Sequence, residues 1–364
     1  MPDLILILQR KYLRMNNCFS LSKQNTLFLK GISILCIMAH NFFHFIPPVT
    51  SQNELFFNAD IALNFLFTFT LGDALNSIFS LFGFYWTFLF VFLSGYGLVK
   101  SYKKNKGNFI SFTLPRIAKI YMIFIISALF CVFYFLGQIN YLNVLKVLSL
   151  TSNFSEKNLF LICGPWWFFS LIIQLYIIFI PLTKFIKKNI WNILYIFIIA
   201  FSVAAYFLYI HKNTTLFYAN FLGHLPEFSF GIFLATYEKK LPILGNRKFN
   251  CIVFLLAISI VILAQFYSFF FIFSFLSSVI LNLSFFQIVG YRNNRFLLFT
   301  GSISPFLFGL HGFLLRRTFV ELARNTVHTH RDFLYCLIWI IMNYIFAYLF
   351  YRLFQKLKTD KILH

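Results

Sequence analysis

Charged side chains are scarce in this sequence of 364 residues, and acidic ones are the scarcest. Only 11% of the residues are charged, 60% belong to the hydrophobic set, and the mean hydropathy is +0.78. Soluble globular domains contain about 25% charged residues, because water must solvate their surfaces. The shortage of charge therefore excludes a soluble globular enzyme and a disordered chain, and it indicates a protein that crosses a membrane several times.

Patterns typical of metal ligands and disulfide frameworks are also missing. The six cysteines include no C-x-x-C pair, and most lie within apolar runs, where cysteine usually behaves as a small hydrophobic residue. The net charge is +21, but no basic stretch is long enough to form a nucleic-acid-binding face. In a membrane protein, such an excess of Lys and Arg is typical of cytoplasmic loops. We expect contact with membrane lipids, no metal site and no nucleic-acid partner.

The apolar runs predict an all-α fold, a polytopic membrane bundle of about ten transmembrane helices. The predicted spans are 27–46, 79–99, 117–137, 166–183, 190–210, 219–237, 249–268, 271–290, 296–315 and 333–352. Lys and Arg are concentrated in alternate loops, so both termini should be cytoplasmic. The expected organisation is a cytoplasmic N-terminal segment at 1–26, a transmembrane domain at 27–352 and a cytoplasmic tail at 353–364.

Two loops on the predicted external side differ from the others. Within loop 47–78, the apolar segment 55–71 is interrupted by polar residues, which predicts a re-entrant or interfacial helix. Loop 316–332 is basic, contrary to the positive-inside pattern. Its arginines are Arg316, Arg317, Arg324 and Arg331. Either the ninth span is misplaced, or these arginines have a role at the outer face.

The first predicted span carries an unusual number of polar side chains. Ser33, His40 and His44 are spaced seven and four residues apart, so they lie on one stripe of a helix, and Lys30 adjoins it. Lys30 and His40 should be about 15 Å apart along the helix axis, so they could contact two ends of one long substrate. Asn41 follows His40. Ionisable groups in a membrane face a cavity or a partner, so these residues either form a site or join neighbouring helices.

Two later spans also contain ionisable side chains. Glu227 lies in an otherwise apolar helix and needs a partner, which His224, three residues earlier, could supply. His311 lies within another apolar run. A histidine there is either part of a site or a structural hydrogen-bonding group, and the sequence leaves both interpretations open.

Taken in order, these segments resemble the integral-membrane acyltransferase family 3, whose members O-acylate surface and exported glycans. The similar segments are Lys30–Gly31 with His40, FVFLSGYGLVKSY at 90–102, LPRIAKIY at 114–121, WWFFSLIIQLY at 166–176, LPEFSFGIFLA at 225–235 and ISPFLFGLHG at 303–312. The resemblance covers about 27–350. One departure is Lys30, because the family usually has Arg at that position.

The resemblance implies an O-acyltransferase of a bacterial cell membrane. It would move an acyl group, in most members acetyl, from acetyl-CoA to a hydroxyl of a surface or exported polysaccharide or its lipid-linked precursor. Acetyl-CoA would be a co-substrate, with no bound cofactor. His40 would be the general base, since a neutral imidazole suits this task at neutral pH, and Asn41, Glu227 or His311 would support it. The residues expected to bind donor or acceptor are Lys30, Ser33, His44, Ser94, Arg116, Lys119, Trp167 and Tyr176.

Simpler interpretations exist for some of these residues. Positive-inside charge would explain Arg116 and Lys119, and an aromatic belt would explain Trp167. The main alternative function is a transporter or flippase for a lipid-linked saccharide, which could use the intramembrane His and Lys residues as a substrate track. Inverted repeats would favour a transporter, and the sequence has none that we detect. A glycan polymerase is a third possibility, but it would be expected to have a large external loop.

Overall fold

The computed structural model describes residues 19–325 and 331–359, which are 80% helical and contain no strand. The all-α fold is therefore confirmed for these ranges. Their α-helices are α1 (Lys23–Phe43), α2 (Ala59–Thr68), α3 (Ala74–Phe82), α4 (Trp86–Lys104), α5 (Leu114–Tyr134), α6 (Tyr141–Leu148), α7 (Glu156–Leu159), α8 (Trp167–Lys188), α9 (Asn192–Ala205), α10 (Thr215–Ala219), α11 (Leu225–Tyr237), α12 (Arg247–Leu263), α13 (Ser268–Val289), α14 (Arg295–Leu310), α15 (Arg316–Arg324) and α16 (Arg331–Thr359).

Within the described ranges, seven helical stretches are long and apolar enough to cross a membrane. They are Lys23–Phe43, Ala74–Lys104, Phe109–Tyr134, Gly164–Lys188, Asn192–Ile210, Ser268–Val289 and Arg331–Lys356. The other three predicted spans correspond to α11, α12 and α14, which have 13, 17 and 16 residues. A straight span needs about 20 residues, so the count of ten stays a prediction.

The placement of both termini also stays a prediction. Of the N-terminal segment expected at 1–26, residues 1–18 lie outside the described ranges, as do residues 360–364 of the expected tail. The segment expected to be re-entrant or interfacial contains α2, whose Leu66 and Phe67 are exposed. The basic segment that follows the ninth predicted span contains α15.

Glycines bring two pairs of helices into backbone contact. A Cβ atom on Gly31 of α1 would overlap a carbonyl oxygen of α14, and one on Gly301 of α14 would overlap a carbonyl oxygen of α1. Gly95 of α4 and Gly231 of α11 form the same reciprocal arrangement. Small residues allow this close approach between helices in membranes, where packing rather than the hydrophobic effect drives association. These contacts set the positions of α1, which carries His40, and of α4, which carries Ser94.

Basic residues from several helix ends gather at one end of the bundle, which we call the basic end. Lys100 Nζ lies 2.7 Å from Glu238 Oε1, and Lys103 Nζ donates to the Ala235 carbonyl. Tyr96 donates to Glu238 and accepts from the backbone N–H of Leu21, so α1 starts at this end. The 21 residues of α1 rise about 30 Å and carry the chain to the opposite end, which we call the far end.

Replacing Gly95 by Ala tests the glycine contacts, and Gly97 on the same helix is a matched control. A Cβ on Gly95 would overlap the Phe228 carbonyl oxygen, whereas a Cβ on Gly97 would have no atom within 4 Å. We expect Gly95→Ala to destabilise the folded protein by about 1–3 kcal/mol, as overpacking does. Gly97→Ala should be neutral or slightly stabilising. Thermal unfolding in detergent measures both, and equal midpoints would contradict the packing role of Gly95.

Candidate active site

A cavity of about 680 Å³ is formed at the far end of the bundle. Its wall combines the last turn of α1, the loop that follows α1, and the N-terminal ends of α8 and α15. His40 and Asn41 contribute from α1, His44 from the position that caps its C-terminus, Trp167 from α8 and Arg316 from α15. Four of the predicted site residues are therefore brought together around one space. Arg316 was not among the predicted site residues, and it belongs to the basic segment that contradicts the positive-inside pattern.

His40 is held in place from several sides although its ring forms part of the cavity wall. Its Nδ1 lies 3.1 Å from the Phe79 carbonyl oxygen, and its ring stacks on His44 at a centroid distance of 5.0 Å. A Cβ on Gly83 would lie 2.6 Å from His40 Cβ, so only glycine fits beside it. A carbonyl oxygen can only accept, so in the neutral ring Nδ1 carries the proton and Nε2 the lone pair.

Asn41 and His44 use part of their polar groups within α1 itself. Asn41 Nδ2 donates to the Ile37 carbonyl oxygen at 3.0 Å, and His44 Nδ1 lies 3.1 Å from the His40 carbonyl oxygen. The His44 ring also contacts the Phe45 ring at a centroid distance of 3.7 Å. These bonds fix both side chains on the cavity wall.

Two carboxylates in the cavity wall were missed by the sequence analysis. Glu54 lies in the loop after α1 and accepts a hydrogen bond from Gln52 Nε2 at 3.3 Å. Burial raises the pKa of Glu54 to about 7, although the Gln52 bond and the nearby His224 oppose the shift. Glu156 of α7 accepts a hydrogen bond from Asn213 Nδ2 at 2.6 Å. The only signal in the sequence was the rarity of acidic residues.

Glu227 and His311 lie outside the cavity wall that the described residues form. Glu227 is buried behind that wall, with its Oε2 3.8 Å from Nδ1 of His224. The His224 ring in turn stacks on the ring of Trp167, a residue of the cavity wall, at a centroid distance of 6.1 Å. His311 Nδ1 lies 3.1 Å from two carbonyl oxygens of its own helix, α14. His311 also lies within electrostatic range of His40 and Arg316. Neither Glu227 nor His311 lines the cavity, but His311 lies close to the residues that do.

The remaining predicted residues form a second group, nearer the basic end. Ser94 and Arg116 both lie close enough to Tyr176 to interact electrostatically with its hydroxyl. Arg116 Nη2 also donates to Ser101 Oγ at 2.7 Å, and its guanidinium lies over the Phe112 ring. We call Lys30, Ser94, Arg116, Lys119 and Tyr176 the inner group.

Lys30 and Lys119 are close enough to repel each other electrostatically. Positive charge from α1 and α5 therefore converges within the inner group. Ser33 lies on α1 between the inner group and the cavity, fully buried, and its Oγ has no hydrogen-bond partner among the described residues.

Glu54 provides a pH test of the cavity. Its pKa of about 7 in the folded protein exceeds the ordinary value of 4.5. The folded protein favours the protonated, neutral form of Glu54. The contribution of this form to the free energy of unfolding is complete below about pH 4.5 and is lost as the pH rises through about 7. We expect the unfolding temperature to fall between about pH 5 and pH 8 more steeply in the wild type than in Glu54→Gln. Glu321→Gln, at an exposed position, should keep the wild-type slope, and a wild-type slope in Glu54→Gln would contradict the burial of Glu54.

A comparison with known protein families matches the same part of the chain that the resembling segments cover. A family model described as an acyltransferase domain matches residues 28–352. The chain has no significant match among curated proteins or among solved structures. The matched range starts within α1 and ends within α16, so it includes both the cavity and the inner group. The chain belongs to the acyltransferase family 3 of integral-membrane proteins.

Proposed function

We propose that this membrane acyltransferase transfers an acetyl group from acetyl-CoA to a hydroxyl of a surface or exported polysaccharide, or of its lipid-linked precursor. The proposed location is a bacterial cell membrane. The observation that carries the proposal is His40, a fixed imidazole on the wall of a cavity within a chain of this family. No feature of the described residues favours a transporter or flippase over the acyltransferase.

His40 has the arrangement that a general base needs. In the proposed reaction, Nε2 of His40 takes the proton of the acceptor hydroxyl while the oxygen attacks the thioester carbonyl carbon. The carbon–sulfur bond then breaks, and the leaving thiolate takes the proton back from the imidazolium. The Phe79 carbonyl accepts from Nδ1–H throughout, which keeps Nε2 as the basic nitrogen and stabilises the imidazolium.

The inner group suits the phosphates of the donor. Lys30, Arg116 and Lys119 bring three positive charges to the half of the bundle where α1 and α5 begin. Arginine binds phosphate through two parallel hydrogen bonds, and lysine acts as a point charge. Lys30 and His40 are about 15 Å apart along α1. The pantetheine arm of CoA separates its phosphates from its thioester, so a donor held at the inner group can direct the thioester toward His40.

The cavity suits a sugar acceptor. Trp167 and Phe45 give it aromatic faces, and Glu54 and Glu156 give it hydrogen-bond acceptors for hydroxyl groups. The wall combines these polar groups with apolar side chains, and convergent polar groups in a concave pocket are typical of sites that orient a small ligand. We propose that the acceptor enters the cavity at the far end, with the reacting hydroxyl directed at His40.

Replacing His40 by Ala tests the general base. We expect acetylation to fall by about 10²–10⁴-fold, because a positioned acid–base group contributes that much to the rate. The assay follows labelled acetate from acetyl-CoA into polysaccharide in isolated membranes, at matched amounts of protein. His211→Ala is the control, since His211 is exposed and should leave the rate unchanged. A wild-type rate in His40→Ala would end the assignment.

Lys30 tests the donor site separately. We expect Lys30→Gln to raise the KM for acetyl-CoA about 10-fold or more, because a hydrogen bond to a charged group contributes about 1.5–3 kcal/mol. Lys30→Arg should restore most of the affinity, since the family usually has Arg there. Lys146→Gln, at an exposed lysine of α6, controls for general loss of charge. An unchanged KM in Lys30→Gln would remove Lys30 from the donor site.

A further inference from the structure

Arg316 is the one Lys or Arg side chain among the described residues that line the far-end cavity. It is the first residue of α15, which follows directly on the turn after α14. The residue before it, Leu315, has a φ of 56°, so the chain turns sharply and aims the start of α15 at the cavity. A left-handed conformation is uncommon for a leucine, and it is retained where the surrounding structure requires it.

Two neighbouring arginines of the same basic segment have partners elsewhere. Arg317 is exposed, and its Nε lies 2.9 Å from Glu321 Oε1. Arg324 Nε donates to the Phe45 carbonyl oxygen at 2.8 Å. Arg316 lies over the Phe45 ring at 4.6 Å and has no carboxylate within 4.0 Å among the described residues. Its position is therefore different from that of a solvated or paired surface arginine.

Glu54 and Glu156 line the same cavity, but neither forms an ion pair with Arg316. Burial lowers the pKa of Arg316, yet an arginine remains cationic at neutral pH. A partly buried cation without a protein counter-charge favours an anionic ligand, and a guanidinium binds carboxylate or phosphate through two hydrogen bonds. The positive charge in the cavity is therefore available to a ligand.

Arg316 is connected to the reacting centre through a short series of ring contacts. It lies over Phe45, the Phe45 ring contacts the His44 ring at 3.7 Å, and the His44 ring stacks on His40 at 5.0 Å. An anionic group held by Arg316 would therefore occupy the same cavity as the hydroxyl that His40 deprotonates.

We infer that the acceptor is anionic, and that Arg316 binds its negative group while His40 receives the neighbouring hydroxyl. Two sources have this chemistry, a carboxylate on the sugar and the diphosphate of a lipid-linked precursor. This inference depends on the proposed function, because it specifies the acceptor of the same reaction. It also gives a reason for basic residues on the side where the positive-inside pattern predicts few.

Matched acceptors test the inference and separate the two sources. The purified full chain in lipid nanodiscs receives acetyl-CoA and the envelope polysaccharide of its own host, either native or with its carboxylates chemically reduced to alcohols. A second pair is the lipid-linked precursor and an analogue in which an uncharged linker replaces the diphosphate between sugar and lipid. Loss of the relevant anion should raise the acceptor KM of the wild type about 10- to 100-fold. If neither treatment changes KM, the inference is overturned and the proposed function stands.

Variants of three arginines complete the test. Arg316→Gln should raise the KM for the anionic acceptor about 10- to 100-fold and leave the KM for acetyl-CoA unchanged. In this variant the anionic acceptor and its uncharged counterpart should have the same KM. Arg316→Lys should restore part of the affinity. Arg317→Gln should behave as the wild type. Arg324→Gln disturbs Phe45 without removing the cavity cation, so an equal effect of Arg324→Gln would overturn direct binding by Arg316. No acetylation of any acceptor by the wild type would overturn the proposed function itself.

Discussion

A polar side chain inside an apolar helix needs a protein partner or a water-filled cavity, because hydrocarbon offers it no hydrogen bond. This constraint determines how α1 is oriented in the bundle. His40 bonds to the Phe79 carbonyl and faces the cavity, while Lys30, two turns or more along the same helix, faces Lys119 of α5. One stripe of α1 therefore runs between the inner group and the far-end cavity, and it connects the proposed donor and acceptor sites.

Close packing at glycines keeps this geometry fixed. Gly31 joins α1 to α14, Gly95 joins α4 to α11, and Gly83 allows the chain to pass directly beside His40. Three of the segments that resemble the family contain Gly31, Gly95 or Gly231. In this structure those glycines serve helix packing, whereas the proposed chemistry depends on polar side chains such as His40. A substitution at one of these glycines should therefore lower the stability of the folded protein, whereas a substitution at His40 should lower the reaction rate.

Periodicity predicted the parts of the site that lie on one helix. The spacing of Ser33, His40 and His44 predicted one shared stripe of the first span, and His40 and His44 line the cavity whereas Ser33 does not. The same reasoning could not find Glu54, Glu156 or the role of Arg316, because they come from separate loops and short helices that meet only in the folded chain. Two of the helices are shorter than the spans predicted for them. α11 begins at Leu225, with Pro226 in its first turn, and α14 ends at Leu310, so apolar composition alone did not give the length of these helices.

Sealed membrane vesicles of both orientations test the central claim most directly, namely that acetyl-CoA is bound near the basic end and the acceptor at the far end. Labelled acetyl-CoA is added outside inside-out vesicles and, separately, outside right-side-out vesicles, and label is then measured in polysaccharide or its lipid-linked precursor. By the positive-inside rule the basic end faces the cytoplasm. The account therefore predicts label only in the inside-out preparation, where the cytoplasmic face meets the added donor. Label only in the right-side-out preparation, or no label in either, would contradict it.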